Sequence, residues 1–384
     1  MSDFKTRLEK IRNENRFRQR LPLESAQDTL VNIKGKLVIN FASNNYLNLA
    51  NNKHLKNSFK KSIEKYGIGS GSSPLISGYN KEYENLERFI SKTIGFQSTL
   101  IMNSGYLANV GLLNAISEKG INVYQDRLNH NSIIESSRLS NTNLVRYKHL
   151  DYNDLLSKIR KSKSKINIIY TDSVFSMTGE KTDIAKLSKI AKKTKALLFV
   201  DDAHGFGVLR NDKKKFPSCL NNIDLKKVRI DAYIATFGKA VGTHGSFISG
   251  SKNLIDILVQ QSKPYIYSTA LPPALIATTY ESLKMIMHDD KLVTKLLDNI
   301  KYFQQYSLRK RLHTNFSDTA IQSLTIGNPK RVMDICKKAL RDNIFIQGIR
   351  YPTVPKNKDL IRINLTSGHS KKQIQSLIEF LIKI

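Results

Sequence analysis

Short apolar runs alternate with stretches of helical periodicity along most of the chain, the pattern of parallel strands joined by helices. Runs rich in Ile, Val, Leu and Phe predict strands at 99–102, 122–126, 143–149, 166–172, 196–202, 231–237 and 245–250, and the periodic stretches 80–94, 105–117 and 184–193 predict helices between them. Only GKAVGTHG separates the last two strands, too short for a helical crossover, so one antiparallel strand is expected in a mixed, mostly parallel seven-stranded sheet. The expected fold class is therefore α/β. From about residue 274 a long helical stretch runs through KMIMHDDKLVTKLLDNIKYFQQY, after which the pattern becomes strand (321–327), helix (329–341), strand (344–349), strand (360–365), helix (370–382). This predicts a smaller α+β C-terminal domain. The expected division is an N-terminal arm and strand at 1–45, beginning with a basic helix, reaching KLVINFAS and packing on the small domain, then a large domain at 46–285 and the small domain at 286–384.

At 384 residues, with 40% hydrophobic and 24% charged positions, the chain can bury a core in each domain. No segment approaches the roughly 20 consecutive apolar residues of a bilayer span, and the charged start has no apolar stretch behind it, so a cytoplasmic protein is expected. Cys219 and Cys336 lack the spacing of a zinc site or a disulfide framework. The net charge of +30 raises the question of nucleic acid. The lysines are scattered, however, and the dense runs Lys213-Lys214-Lys215 and 158–165 fall in or beside loops without any nucleic-acid-binding motif, so solvated faces account for them better. Such a field would also steer an anionic substrate.

An acid, an imidazole and an amine stand at the ends of two neighbouring strands. ALLFVDDAHGFG carries Asp201 and Asp202 straight after an apolar run, with His204 three positions beyond Asp201, and DAYIATF ends in Gly238-Lys239. In an open α/β sheet such ends border the ligand crevice. A carboxylate and a lysine amine are what pyridoxal 5′-phosphate (PLP) chemistry needs: the acid keeps the pyridine nitrogen protonated, and the amine forms a Schiff base. Asp201 and Lys239 fit those roles, His204 the ring oxygen, and Thr236 the neighbourhood of the phosphate. In NSGYLAN, Ser104 can cap a helix opened by Gly105 and Tyr106, whose free amides suit a phosphate. Singly, each of these residues is more often a turn, cap or surface position.

Together, GIGSGSSPLISGY, NSGYLAN, DRLNHNSI, SVFSMTGE, VDDAHGFGVL, TFGKAVGTHG and IYSTALPP resemble, in order and spacing, the α-oxoamine synthases, which are fold-type I PLP-dependent enzymes. The likeness runs from about residue 41 to 382. IRYPTVP followed by LIRINLT resembles the branch that condenses L-alanine with a pimeloyl thioester, on CoA or on acyl carrier protein. Position by position, the resemblance implies that Lys239 is the Schiff-base lysine, Asp201 the pyridine-nitrogen partner, His204 the ring-oxygen partner and His130 the residue stacked on the ring. It places Ser176, Thr236, Gly105 and Tyr106 against the cofactor, and Ser268 and Thr269 against the phosphate held by the partner subunit of a homodimer with shared sites. Arg362 matches the arginine that binds the amino-acid carboxylate, and Arg20 and Thr353 match substrate-contacting positions. Ser73-Pro74-Leu75 and Gly242-Thr243-His244-Gly245 depart from the family pattern, which bears on acyl-chain or carrier selectivity more than on the cofactor. His54, His149, His288, His313 and His369 receive no role. Two alternatives remain open: another α-oxoamine synthase, using glycine with acetyl-CoA or a longer acyl donor, and a basic nucleic-acid-binding protein on an enzyme fold, which predicts salt-sensitive binding to duplex DNA.

Overall fold

A computed structural model describes residues 3–384 apart from 214, 222 and 313, so Lys214 and His313 lie outside the described residues. The strands, in chain order, are β1 (Leu30–Ile33), β2 (Lys36–Asn40), β3 (Ser98–Met102), β4 (Ile121–Asp126), β5 (Thr142–Tyr147), β6 (Ile166–Asp172), β7 (Leu197–Asp201), β8 (Ala232–Thr236), β9 (Ser246–Gly250), β10 (Ile321–Thr325), β11 (Ile344–Phe345), β12 (Gln347–Ile349) and β13 (Leu360–Asn364). The chain divides into two compact units: Met1–Asn51 with Ser176–Glu180 and Thr294–Ile384, and Asn52–Phe175 with Lys181–Val293.

The larger unit holds the seven-stranded sheet, in the order β3-β9-β8-β7-β6-β4-β5. β4, β5, β6, β7 and β8 pair in parallel, while β9 runs antiparallel to both β3 and β8, as the short link between the last two predicted strands requires. Helices cover both faces. Leu112, Ile168, Phe199, Ile234, Ile248 and Leu258 build the core beneath the helices Gly105–Ile116 and Lys252–Gln261. Leu155, Ile169, Leu187, Leu198 and Val200 build the other core with the helices Tyr152–Arg160 and Ile184–Thr194. Burial of each such side chain stabilises the fold by roughly 1.5–3 kcal/mol. Burial on both faces is why these strands read as unbroken apolar runs. The helices Lys53–Tyr66, Asn131–Leu139 and Tyr152–Arg160 also belong to this unit and go beyond the predicted elements; the latter two are only nine residues long, too short to declare a period.

The smaller unit has two three-stranded sheets, β1-β2-β11 and β10-β13-β12. β1 was not expected. It joins β2 through Lys34 and Gly35, both at positive φ (51° and 71°), a tight hairpin turn in which lysine stands where asparagine or aspartate usually signals the bend. The single strand expected at 344–349 is two, β11 and β12, pairing in different sheets. The long helical stretch breaks at Asp289, whose extended backbone separates the helices Pro273–His288 and Asp290–Arg309. Gly179 must be glycine: at φ +76° a Cβ would meet Ile321 O at 2.5 Å and Ser317 Oγ at 2.6 Å.

Candidate active site

Parallel pairing sets the site. β3, β4, β6, β7 and β8 all end on one edge of the sheet, so Met102, Asp126, Asp172, Asp201 and Thr236 stand along it. Lys239 follows β8 by three residues and His204 follows β7 by three, and Lys239 Nζ lies 2.8 Å from His204 Nε2. One of the two nitrogens presents a lone pair to the other. The Asp201 carboxylate accepts from the Ala203 amide at 2.9 Å and from Asn109 Nδ2 at 2.7 Å. The adjacent Asp202 turns elsewhere, accepting from Tyr233 Oη at 2.6 Å, the Cys219 amide at 2.9 Å and the Ser173 hydroxyl. Burial raises its pKa to about 6 against the pull of those donors.

His130 caps the helix Asn131–Leu139. Its amide donates to Asp172 Oδ2 at 2.7 Å, and its Nδ1 lies 2.8 Å from Ser132 Oγ. Asp172 pairs in register with Asp201 on the neighbouring strand. Burial first, and the Asp201 carboxylate second, hold Asp172 well above the usual carboxylate range. Although the residue keeps an exposed face, removal of the inner side of the ring from water pushes the His130 imidazole below its ordinary value; Asp201 opposes this and Lys239 adds to it.

At the start of the helix Gly105–Ile116, Ser104 Oγ accepts from the Leu107 amide at 3.3 Å and its carbonyl from the Ala108 amide at 2.9 Å. No acceptor among the described residues takes the Gly105 and Tyr106 amides, which lie at the positive end of the helix. Thr236 is beside them, since a Cβ on Gly105 would sit 3.8 Å from its Cβ. The Thr236 hydroxyl already donates to Gly245 O at 2.9 Å. Asn103 Nδ2 donates to Thr269 O at 2.8 Å, which brings the Ser268-Thr269 segment to the same helix start.

The remaining predicted residues belong to the smaller unit. Arg362 lies on the central strand β13, 6% exposed. Its Nε donates to Ser176 O at 2.6 Å, Nη1 to Asn44 Oδ1 at 3.0 Å and Nη2 to Tyr46 Oη at 3.4 Å. Thr353 Oγ1 accepts from Arg18 at 3.4 Å, so Arg18, not the exposed Arg20, reaches it. Of the histidines without a role, His149 bonds Asp126 at 2.8 Å, and His369 is buried against Phe41 with ring centroids 4.3 Å apart. Sequence reasoning missed Asp172, Asn109, Ser132 and Tyr170. Asp172 ends an apolar run in the same way as Asp201 and could have been flagged. The others carry no such signal.

The donors suit PLP: an acceptor-only carboxylate for a pyridine N–H, an amine for an aldehyde, and two amides at a helix start for a phosphate. A mixed α/β sheet with that set on one edge defines the class, a fold-type I PLP-dependent enzyme. The family model for aminotransferases of class I and II matches residues 36–381. The 8-amino-7-oxononanoate synthase of Thermoanaerobacter pseudethanolicus is 37% identical over 385 residues, covering 100% of this chain and 96% of that protein. Among solved structures, the 8-amino-7-oxononanoate synthase of Francisella tularensis superposes with a TM-score of 0.77 at 28% identity, over 90% of this chain and 97% of that one. A serine palmitoyltransferase of Sphingomonas wittichii shares the fold, with a TM-score of 0.90 at 21% identity over 98% and 95%. The chain belongs to the class I and II aminotransferase family, in the branch of the 8-amino-7-oxononanoate synthases. It is a PLP-dependent acyltransferase of that branch.

Proposed function

We propose that the chain condenses L-alanine with a pimeloyl thioester, of CoA or of acyl carrier protein, in the formation of biotin. The alanine Cα bonds to the pimeloyl carbonyl carbon, the thioester C–S bond breaks, and CO2 and free thiol leave, giving 8-amino-7-oxononanoate. The observation that carries this reading is the placement of Asp201 and Lys239 after adjacent parallel strands, with His204 2.8 Å from the amine. Bound PLP supplies a sink for the electron pair left at Cα. Lys239 anchors the cofactor, then serves as the base that removes the Cα proton and returns one at the end. Asp201 holds the pyridine proton, His204 bonds the ring oxygen and His130 covers one face. Gly105 and Tyr106 grip the phosphate, with Thr236 alongside, and Ser176 completes the cofactor contacts. Arg362 takes the alanine carboxylate; its three acceptors are all uncharged, leaving its own charge for an anion. Arg20 and Thr353 touch substrate.

The active form on this reading is a homodimer in which Ser268 and Thr269 reach the phosphate of the second copy. In its support, Ile68, Ile76 and Tyr267 of the larger unit are strongly exposed, on segments tied together by the Ala270 amide and Ser72 O at 2.9 Å. No helix among the described residues is long and apolar enough to cross a membrane.

The test is an absorption spectrum with PLP, followed by thioester-dependent CO2 release over a panel of amino acids with CoA and carrier donors. A yellow band that borohydride removes, and that Lys239→Ala lacks, is expected, with alanine preferred. A colourless protein, or a strong preference for glycine, ends the proposal.

A further inference from the structure

Between Asp201 and His130 the interior is bridged by two side chains that have no place in the chemistry above. Asn109, in the second turn of the helix Gly105–Ile116, and Ser132, in the first turn of Asn131–Leu139, are each 1% exposed. Asn109 Oδ1 lies 2.6 Å from Tyr170 Oη, and its Nδ2 lies 2.7 Å from Asp201 Oδ2 and 2.7 Å from Ser132 Oγ. An ionised carboxylate only accepts, so the carboxamide atom facing Asp201 is the nitrogen, and Tyr170 must donate to the oxygen. Ser132 Oγ, accepting from Asn109, keeps its own proton, and His130 Nδ1 stands 2.8 Å away to receive it. The Ser132 amide points at the same Nδ1 from 3.3 Å. Two donors converge on Nδ1, which leaves the imidazole proton on Nε2.

We propose that Asn109 and Ser132 are positioning residues of the cofactor site: one carboxamide fixes the Asp201 carboxylate and, through the Ser132 hydroxyl, locks His130 as the neutral Nε2–H tautomer. The inference rests on the reading of Asp201 and His130 as partners of the cofactor ring. Its chemical sense is that an uncharged imidazole does not compete with the pyridine proton that Asp201 must hold. The surroundings agree. A cation on His130 would sit at the positive end of the helix it caps, near Lys239, with Asp201 the carboxylate opposing and Asp172 held on the main-chain amide. The lowered pKa of His130 points the same way.

The experiment uses the full chain, labelled with nitrogen-15 histidine. In the protein without cofactor, the His130 resonance, assigned by its loss in His130→Gln, should show a protonated Nε2 and a bare Nδ1 at neutral pH. Ser132→Ala removes one donor to Nδ1 and should raise the His130 midpoint by about one pH unit, while Ser132→Thr, which keeps the hydroxyl, restores it. Asn109→Ala should weaken PLP binding about tenfold and move the pH midpoint of the cofactor's absorption band. A wild-type His130 protonated at Nδ1 overturns the relay whether or not the Ser132 and Asn109 variants fold, and so does a midpoint that Ser132→Ala leaves unchanged. A wild-type protein that stays colourless with PLP removes the underlying reading and this proposal together, whereas a yellow protein with the wrong tautomer removes the proposal alone.

Discussion

The polar interior of the larger unit and that of the smaller unit handle charge in opposite ways. At the strand ends of the larger unit two carboxylates, Asp172 and Asp201, stand in register on neighbouring strands, and burial together with the charge of Asp201 holds Asp172 well above the usual carboxylate range. In the smaller unit a buried cation, Arg362, is oriented by three neutral acceptors. Each unit also contains a buried group with its needs met. Asp202 has three donors, while His369 accepts from the Thr366 amide at 3.0 Å and lies 3.1 Å from Asn40 O. The contrast supports the ligand role proposed above for Arg362: a satisfied buried group holds the fold, whereas a buried charge without a counter-charge is a candidate for binding an anion.

The largest expected effect follows from removing the amine. Lys239→Ala should lower turnover by about a thousandfold or more and abolish the borohydride-sensitive band, with its melting temperature close to that of wild type. Next, Arg362→Met should raise KM for alanine about tenfold to a hundredfold while the yellow band persists; Arg362→Lys, which keeps charge but loses the fork, should recover only part. If Arg362 were architectural, Arg362→Met would unfold the smaller unit. An unchanged or higher melting temperature, read by calorimetry, is expected instead.

The satisfied groups sharpen the comparison through pH. Asp202 has a folded pKa of about 6 against 3.8 for the free side chain, so its contribution to stability is complete below pH 3.8 and is lost as pH rises through 6. His369 runs the other way. Burial lowers it to about 4 from 6.5, so its contribution is complete above pH 6.5 and is lost as pH falls through 4. Each amounts to roughly 3 kcal/mol at most. Asp202→Asn should flatten the first slope, and hydrogen exchange resolved by unit should show the larger unit weakening where the smaller one gains. The smallest effect is at the helix start, where Ser104→Ala should cost about 1 kcal/mol of stability.

Much of this was legible in the chain. The seven strands of the large sheet, the antiparallel β9 and the Asp201–His204–Lys239 set follow from apolar runs and the residues that end them. Short helices such as Asn131–Leu139 were not, because nine residues show too little of a period, and β1 was hidden by a Lys-Gly turn of unusual composition. Asn109 is one of two asparagines in an apolar helix and Ser132 one of three serines in a short mixed one. The Ser132–His130 contact is local, two residues apart at one helix cap, but nothing in the chain announces that Asn109 faces Asp201 and Ser132, because that depends on how two helices meet the edge of a sheet.

By itself, then, the sequence determined which segments are buried on both faces, and so the parallel sheet and the edge on which Asp201 and Lys239 meet, since hydrophobic period is a local property of the chain. Only the tertiary structure decided that of two successive aspartates Asp201 takes Asn109 while Asp202 takes Tyr233 and Cys219, and that Arg18 rather than Arg20 reaches Thr353. Those outcomes are set by partners tens to hundreds of residues away, through hydrogen bonds whose direction no local pattern encodes.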